Sequence, residues 1–141
     1  MRALGIDLGS KRIGVAVSDR SGTIASPLTV LARTGSRPQD HQRIRALVQE
    51  EEAECVVVGL PLSLDGSIGP AARGAIAEAE ELSSVVGVPV ETFDERLTTV
   101  SADRMLVEQG MRAPARRRVV DKVAAAVMLQ SWLDGRHGTG A

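Results

Sequence analysis

The sequence predicts an α/β fold, with a five-stranded mixed sheet of three antiparallel strands followed by two parallel ones, flanked by helices. Three observations point there. Three short apolar segments open the chain with only brief glycine-bearing turns between them; two later apolar runs are each preceded by helical spacing; and a long apolar-faced stretch closes it. At 141 residues the chain fits one domain with a real core. Residues 1–134 are assigned to that domain, and 135–141 to a flexible tail.

Arg2 to Ile6 read as a buried strand ending on Asp7. Gly9 permits a tight reversal, and Ile13 to Val17 resume the sheet after Lys11 and Arg12. Gly22 turns the chain into a third strand, Thr23 to Leu31, with Pro27 suited to a sheet edge. These three form a meander. Arg33 to Asp40 is polar and reads as a loop, followed by a helix carrying Ile44, Leu47 and Val48. The run Glu54 to Pro61 suits a strand buried on both faces, in which the lone Cys55 is core filler. A loop from Leu62 to Pro70 leads to a second helix, Ala71 to Val86, closed by Gly87. Val88 to Phe93 make the fifth strand, ending in Asp94-Glu95-Arg96. Thr98 or Thr99 caps a helix bearing Ala102, Met105, Leu106 and Val107 that stops near Gly110. From about Val119 the last helix carries Val120, Val123, Ala124, Val127, Met128 and Trp132.

Composition excludes several classes of function. A formal net charge of -1 rules out a wholly polybasic nucleic-acid binder, so any polyanion must meet a local patch. One cysteine excludes a disulfide framework and multi-cysteine metal sites. There is neither a signal peptide nor an apolar run long enough for a bilayer, which makes the expected location cytoplasmic. His41 and His137 lack metal-ligand spacing, and Phe93 and Trp132 sit in core contexts that disfavour base stacking.

The candidate chemistry lies in acids at strand ends. In such a sheet the C-terminal ends of strands one, four and five share an edge, where open α/β sheets bind ligands. Asp7 and Glu95 would face it, and Asp121 near the start of the last helix could join them. Converging carboxylates repel unless cations neutralise them. Mg²⁺ or Mn²⁺ takes oxygen ligands and serves phosphodiester hydrolysis without a His or Ser nucleophile. Each acid also has an ordinary reading. Asp7 can bond the amides of its own turn, Asp94 and Glu95 can cap a helix or pair with Arg96, Asp121 can complement a helix dipole, and Asp65 suits an Asp-Gly turn. Arg112, Arg116, Arg117 and Arg118 form either a solvated face or a grip on a nucleic-acid backbone, with Arg33 and Arg37 as a weaker second patch.

The blocks GIDLGSKRIGVAVSD, VVVGLPLSLDGSIGP, FDERLTT and VDKVAAAVMLQSWL, in this order over essentially the whole chain, resemble the YqgF/RuvX family. The resemblance implies a ribonuclease H-like fold and a nuclease using Mg²⁺ or Mn²⁺. It carries the catalytic, metal-binding acids over to Asp7, Glu95 and Asp121, with Asp94 beside them. Substrate contacts are implied for Lys11, Arg12 and the Asp65-Gly66 loop, with Arg96, Arg116, Arg117 and Arg118 as further candidates. Two roles belong to the family: maturing the 5′ end of precursor 16S ribosomal RNA, the favoured expectation, and resolving Holliday junctions. The implied partners are structured precursor RNA or branched DNA, ribosomal particles, and no membrane, with the protein acting as a monomer or homodimer. A non-catalytic RNA- or ribosome-binding module is a further class. The first block also resembles the phosphate-binding opening of actin-like ATPases and sugar kinases, but those need two such domains around the nucleotide.

Overall fold

The computed structural model describes residues 1–63, 65–97 and 114–139, with backbone only at 97, 114–120 and 137–139. Strands β1 (Ala3–Leu8), β2 (Arg12–Ser18) and β3 (Ala25–Ala32) are followed by helix α1 (Arg37–Glu50), β4 (Cys55–Leu60), α2 (Pro70–Ser83) and β5 (Val90–Asp94). A single 3₁₀ turn, Glu95–Leu97, and helix α3 (Pro114–Thr139) complete the described elements. The helix expected from Thr98 or Thr99 to Gly110, and Arg112, lie outside the described residues.

The sheet order is β3-β2-β1-β4-β5. β1–β2 and β2–β3 are antiparallel, while β1–β4 and β4–β5 are parallel, which is the mixed sheet the sequence predicts. Pro27 lies on edge strand β3, where a missing N–H is tolerated, and faces Ala16 beside an irregularity in the pairing.

Alternation along the strands sorts side chains by size onto two faces. Leu4, Ile6, Ile13, Val15, Val56 and Val58 form one face and pack with Ile44 and Val48 of α1 and Ala79 and Leu82 of α2. The other face is built from small residues. Ala3, Ala16, Cys55 and Val57 receive Ala124, Ala125, Met128, Leu129, Trp132 and Leu133 of α3. Burying Met128, Leu129 and Leu133 contributes about 1.5–3 kcal/mol each. The seat is close, since a Cβ built on Gly5 of β1 would lie 2.8 Å from Leu129 Cβ and 3.2 Å from the Ala125 carbonyl oxygen.

Two helix boundaries differ from the sequence reading. α1 begins at Arg37, inside the stretch read as a loop, because the Ser36 side chain accepts the Gln39 N–H and Pro38 occupies the first turn, where its missing donor is harmless. α3 begins at Pro114 and continues past Gly135 to Thr139. One glycine costs a helix only about 1 kcal/mol, and the Arg136 guanidinium stacks 4.7 Å from the Trp132 ring centroid across that turn. Among the described residues no helix is long and apolar enough to cross a membrane.

Candidate active site

Asp7 stands near the C-terminal end of β1, on the face covered by α3, and is 6% exposed. Its neighbours across the sheet are both glycines. Gly14 of β2 is its register partner. On the other side Ile6 pairs with Val58, so the next residues along the two parallel strands, Asp7 and Gly59, lie level with each other.

Each glycine makes room for a second acid-bearing residue. A Cβ on Gly14 would collide with the backbone carbonyl of Asp121 in α3. A Cβ on Gly59 would lie 2.6 Å from Oε1 of Glu95, which opens the 3₁₀ turn after β5 and is 3% exposed. Asp7 is thus flanked by two residues without side chains, with Asp121 seated over one and the Glu95 carboxylate over the other. Glycine inside a strand marks close approach by another group. Gly14 and Gly59 are the signal in the sequence for this arrangement, hidden because both sit inside apolar strand runs.

The Asp121 carboxylate takes part in an ion pair, with Arg12 Nε donating to Oδ2 at 2.9 Å. Among the described residues no three His, Cys, Asp or Glu side chains are gathered to hold a metal ion. Asp7 and Glu95 nevertheless fit a hard divalent cation in donor chemistry, because Mg²⁺ is held by one or two protein carboxylates with water and substrate phosphate supplying the rest.

Asp94 follows its ordinary reading. Arg96 Nε donates to Asp94 Oδ1 at 3.1 Å and to Oδ2 at 3.0 Å, Nη2 donates to Oδ2 at 2.6 Å, and the Arg96 N–H donates to Oδ1 at 2.9 Å. The hydrogen bonds from Arg96 hold the Asp94 carboxyl below its ordinary value. Asp65 also closes a local turn, with Oδ1 accepting the Ser67 N–H at 2.9 Å. Hydrogen bonding from Ser67 lowers its carboxyl, and the Arg96 charge adds a little. The Asp65 loop and Arg96 are neighbours, since Gly66, at φ +87°, packs against the Arg96 guanidinium. Lys11 is exposed on the β1–β2 turn. Arg116, Arg117 and Arg118 lie on α3 ahead of Asp121, with side chains outside the described residues. Arg33 and Arg37, the weaker second patch of the sequence, are engaged with acids instead: Arg33 with Glu78 and Arg37 with Glu81.

Comparison with known proteins places the chain in a family. A protein of Anaeromyxobacter sp. (strain Fw109-5), named "Putative pre-16S rRNA nuclease", is 53% identical over 137 residues, covering 97% of this chain and 99% of that one. A protein of the same name from Thermoanaerobacter pseudethanolicus is 42% identical over 96% of this chain and 98% of its own. Among solved structures, T. thermophilus RuvC in complex with Holliday junction substrate superposes with a TM-score of 0.61 at 19% identity, covering 99% of this chain and 98% of that one. The yeast mitochondrial Holliday junction resolvase Ydc2 does so with a TM-score of 0.54 at 12% identity, covering 93% and 77%. These two likenesses show the ribonuclease H-like fold. Residues 1–135 match the family described as RuvX, Holliday junction resolvase, and the chain belongs to that family.

Proposed function

We propose that this protein is a divalent-metal-dependent nuclease that hydrolyses phosphodiester bonds in precursor 16S ribosomal RNA, working in the cytoplasm on RNA or on ribosomal particles. The observation that carries the reading is the row Gly14–Asp7–Gly59, which clears space on either side of one buried carboxylate for Asp121 and Glu95. Glycines in strand interiors weaken a sheet, and here they admit two further acid-bearing residues beside the first. Membership of the RuvX family and the names of the close relatives supply the reaction class and the substrate.

Mg²⁺ or Mn²⁺, held by Asp7 and Glu95 with Asp121 as a third acid, would polarise the scissile phosphate and activate water. The chain's own cations do the rest. Lys11 meets the substrate backbone from the turn beside Asp7, and Arg96 presents a guanidinium next to the Asp65 loop, fixed by its fork on Asp94. Arg12 neutralises Asp121 while no phosphate is near, and offers its remaining donors to a phosphate when one arrives. Arg116, Arg117 and Arg118 extend the grip along the backbone. Because such contacts read charge and shape, they suit a structured RNA.

A second reading, resolution of four-way DNA junctions, is favoured by the family description itself. One experiment separates the two: labelled precursor ribosomal RNA and a synthetic four-way junction are offered to the parent and to Asp7→Ala with Mg²⁺, Mn²⁺ or chelator. The expected result is metal-dependent cutting of the RNA, lost in Asp7→Ala. Symmetric cutting of the junction with the RNA left intact would replace the first reading with the second. Cutting that survives both the chelator and Asp7→Ala would overturn both, and binding of either substrate without any cleavage would support a binding module.

A further inference from the structure

The aliphatic face of the sheet contains a buried polar cluster that the proposed chemistry does not use. Glu78 of α2 is 3% exposed and His41 of α1 is 2% exposed. His41 Nε2 lies 2.8 Å from Glu78 Oε2. Arg33, just beyond β3, forks onto the same carboxylate, with Nη1 to Oε2 and Nη2 to Oε1, both at 2.9 Å. Its third donor turns away from Glu78, and Arg33 Nε reaches the Gly9 carbonyl at 2.7 Å. The Arg33 backbone N–H donates to the Lys11 carbonyl at 2.9 Å. One residue therefore grips both sides of Ser10, within the turn that joins Asp7 to Arg12.

Burying such a cluster gains little stability in itself. Desolvating an ion pair offsets much of its attraction, and aliphatic side chains of the same volume would commonly serve as well. The arrangement does fix a position. Because the Glu78 fork sets the plane of the guanidinium, Nε can aim in only one direction. The turn's own bonds, the Gly9 N–H to the Asp7 and Arg12 carbonyls, are local, and the main-chain bond from Arg33 to Lys11 holds only its far side, so the Nε bond to Gly9 is the tie that holds its near side.

We infer that Arg33, oriented by Glu78 and His41, is a positioning residue that fixes the β1–β2 turn and with it Asp7, Lys11 and Arg12. The inference rests on the reading of Asp7 as a metal-holding acid, and it adds a support on the side of the sheet opposite α3. Lysine at position 33 keeps the charge opposite Glu78 but, as a single point donor, cannot fork onto the carboxylate and reach Gly9 as well.

The test compares the parent with Arg33→Lys, Glu78→Gln and, as a control for plain destabilisation, Ile44→Val in the same layer. Amide hydrogen exchange by NMR, Mn²⁺ affinity by electron paramagnetic resonance, and kcat and KM on the cleaved substrate are measured on each. In Arg33→Lys, exchange of the amides at Gly9 and at position 33 should quicken about tenfold, as expected when the turn they anchor opens more readily after losing the Nε bond to the Gly9 carbonyl. Mn²⁺ affinity should weaken, and kcat should fall about 10- to 100-fold with KM little changed, as misplacement of a reacting group predicts. Ile44→Val should lower Tm without these changes. Unchanged exchange at the turn in Arg33→Lys overturns the inference, as does faster exchange with intact Mn²⁺ affinity and kcat. If Asp7→Ala binds Mn²⁺ and cuts like the parent, the reading of Asp7 fails separately, and turn exchange in Arg33→Lys still decides whether Arg33 fixes the turn.

Discussion

Gly14 and Gly59 look alike in sequence, yet adding one methyl group to each should have different consequences. At position 14 the new carbon meets the main chain of α3 at Asp121. Main chain cannot swing aside, so Gly14→Ala should destabilise the fold by about 1–3 kcal/mol, read from urea melts. At position 59 it meets the end of a side chain, the Glu95 carboxylate. Gly59→Ala should stay folded with little change in Tm and lose cleavage at least about tenfold, since the acid must move away from the space beside Asp7. A Gly59→Ala protein of full activity would remove Glu95 from the site. Asp7 and Glu95 were legible in the sequence as acids at strand ends. The pairing of Asp121 with Arg12 was not, because it joins residues far apart in the chain whose approach depends on how deeply α3 sits. Arg33 looks like part of a surface patch in the sequence for a similar reason, since its partners Glu78 and Gly9 come from other parts of the chain.

At the scale of elements, the strands were legible because each carries its own signal: an apolar run, alternation or a bounding turn. Helix starts were harder to read. The Ser36-Arg37-Pro38 start of α1 looks like any polar loop unless the Ser36 cap is weighed against it. That cap predicts a cost of about 1 kcal/mol for Ser36→Ala, measured by chemical denaturation. Gly74 offers the opposite case. It lies within α2 with nothing within 4 Å of an added Cβ. Gly74→Ala should therefore stabilise the protein by about 0.5–1 kcal/mol through backbone entropy alone, without touching activity.

For the whole molecule, the acid limb of stability should carry the mark of Glu78. Burial pushes this carboxyl up, and the hydrogen bonds from Arg33 and His41 more than reverse it, leaving it below its ordinary value of 4.5. A carboxyl lowered in the folded state contributes stability that is present above the unfolded value and is lost as pH falls through the folded one. Urea melts from about pH 7 down to about pH 3 should thus show the parent weakening below 4.5, while Glu78→Gln, weaker at neutral pH, shows a flatter acid limb. Asp19 is also lowered, chiefly by the Thr23 N–H, but it sits at the surface, where such a bond contributes little.

The sheet's two faces also differ in how freely their residues can change over generations. Beneath α1 and α2, Leu, Ile and Val can exchange volume with one another, so a loss at one position is recoverable at the next. Beneath α3, at the close approach of Gly5, there is no side chain to exchange. A carbon added at Gly5 meets the Cβ of Leu129 and the main-chain oxygen of Ala125, atoms that every residue except glycine, or every residue at all, must keep. Shrinking the neighbour to alanine gives no relief. In a library of second-site revertants, Gly5 variants should be rescued only by Leu129→Gly or not at all, so the face that carries the acids is the one least able to drift.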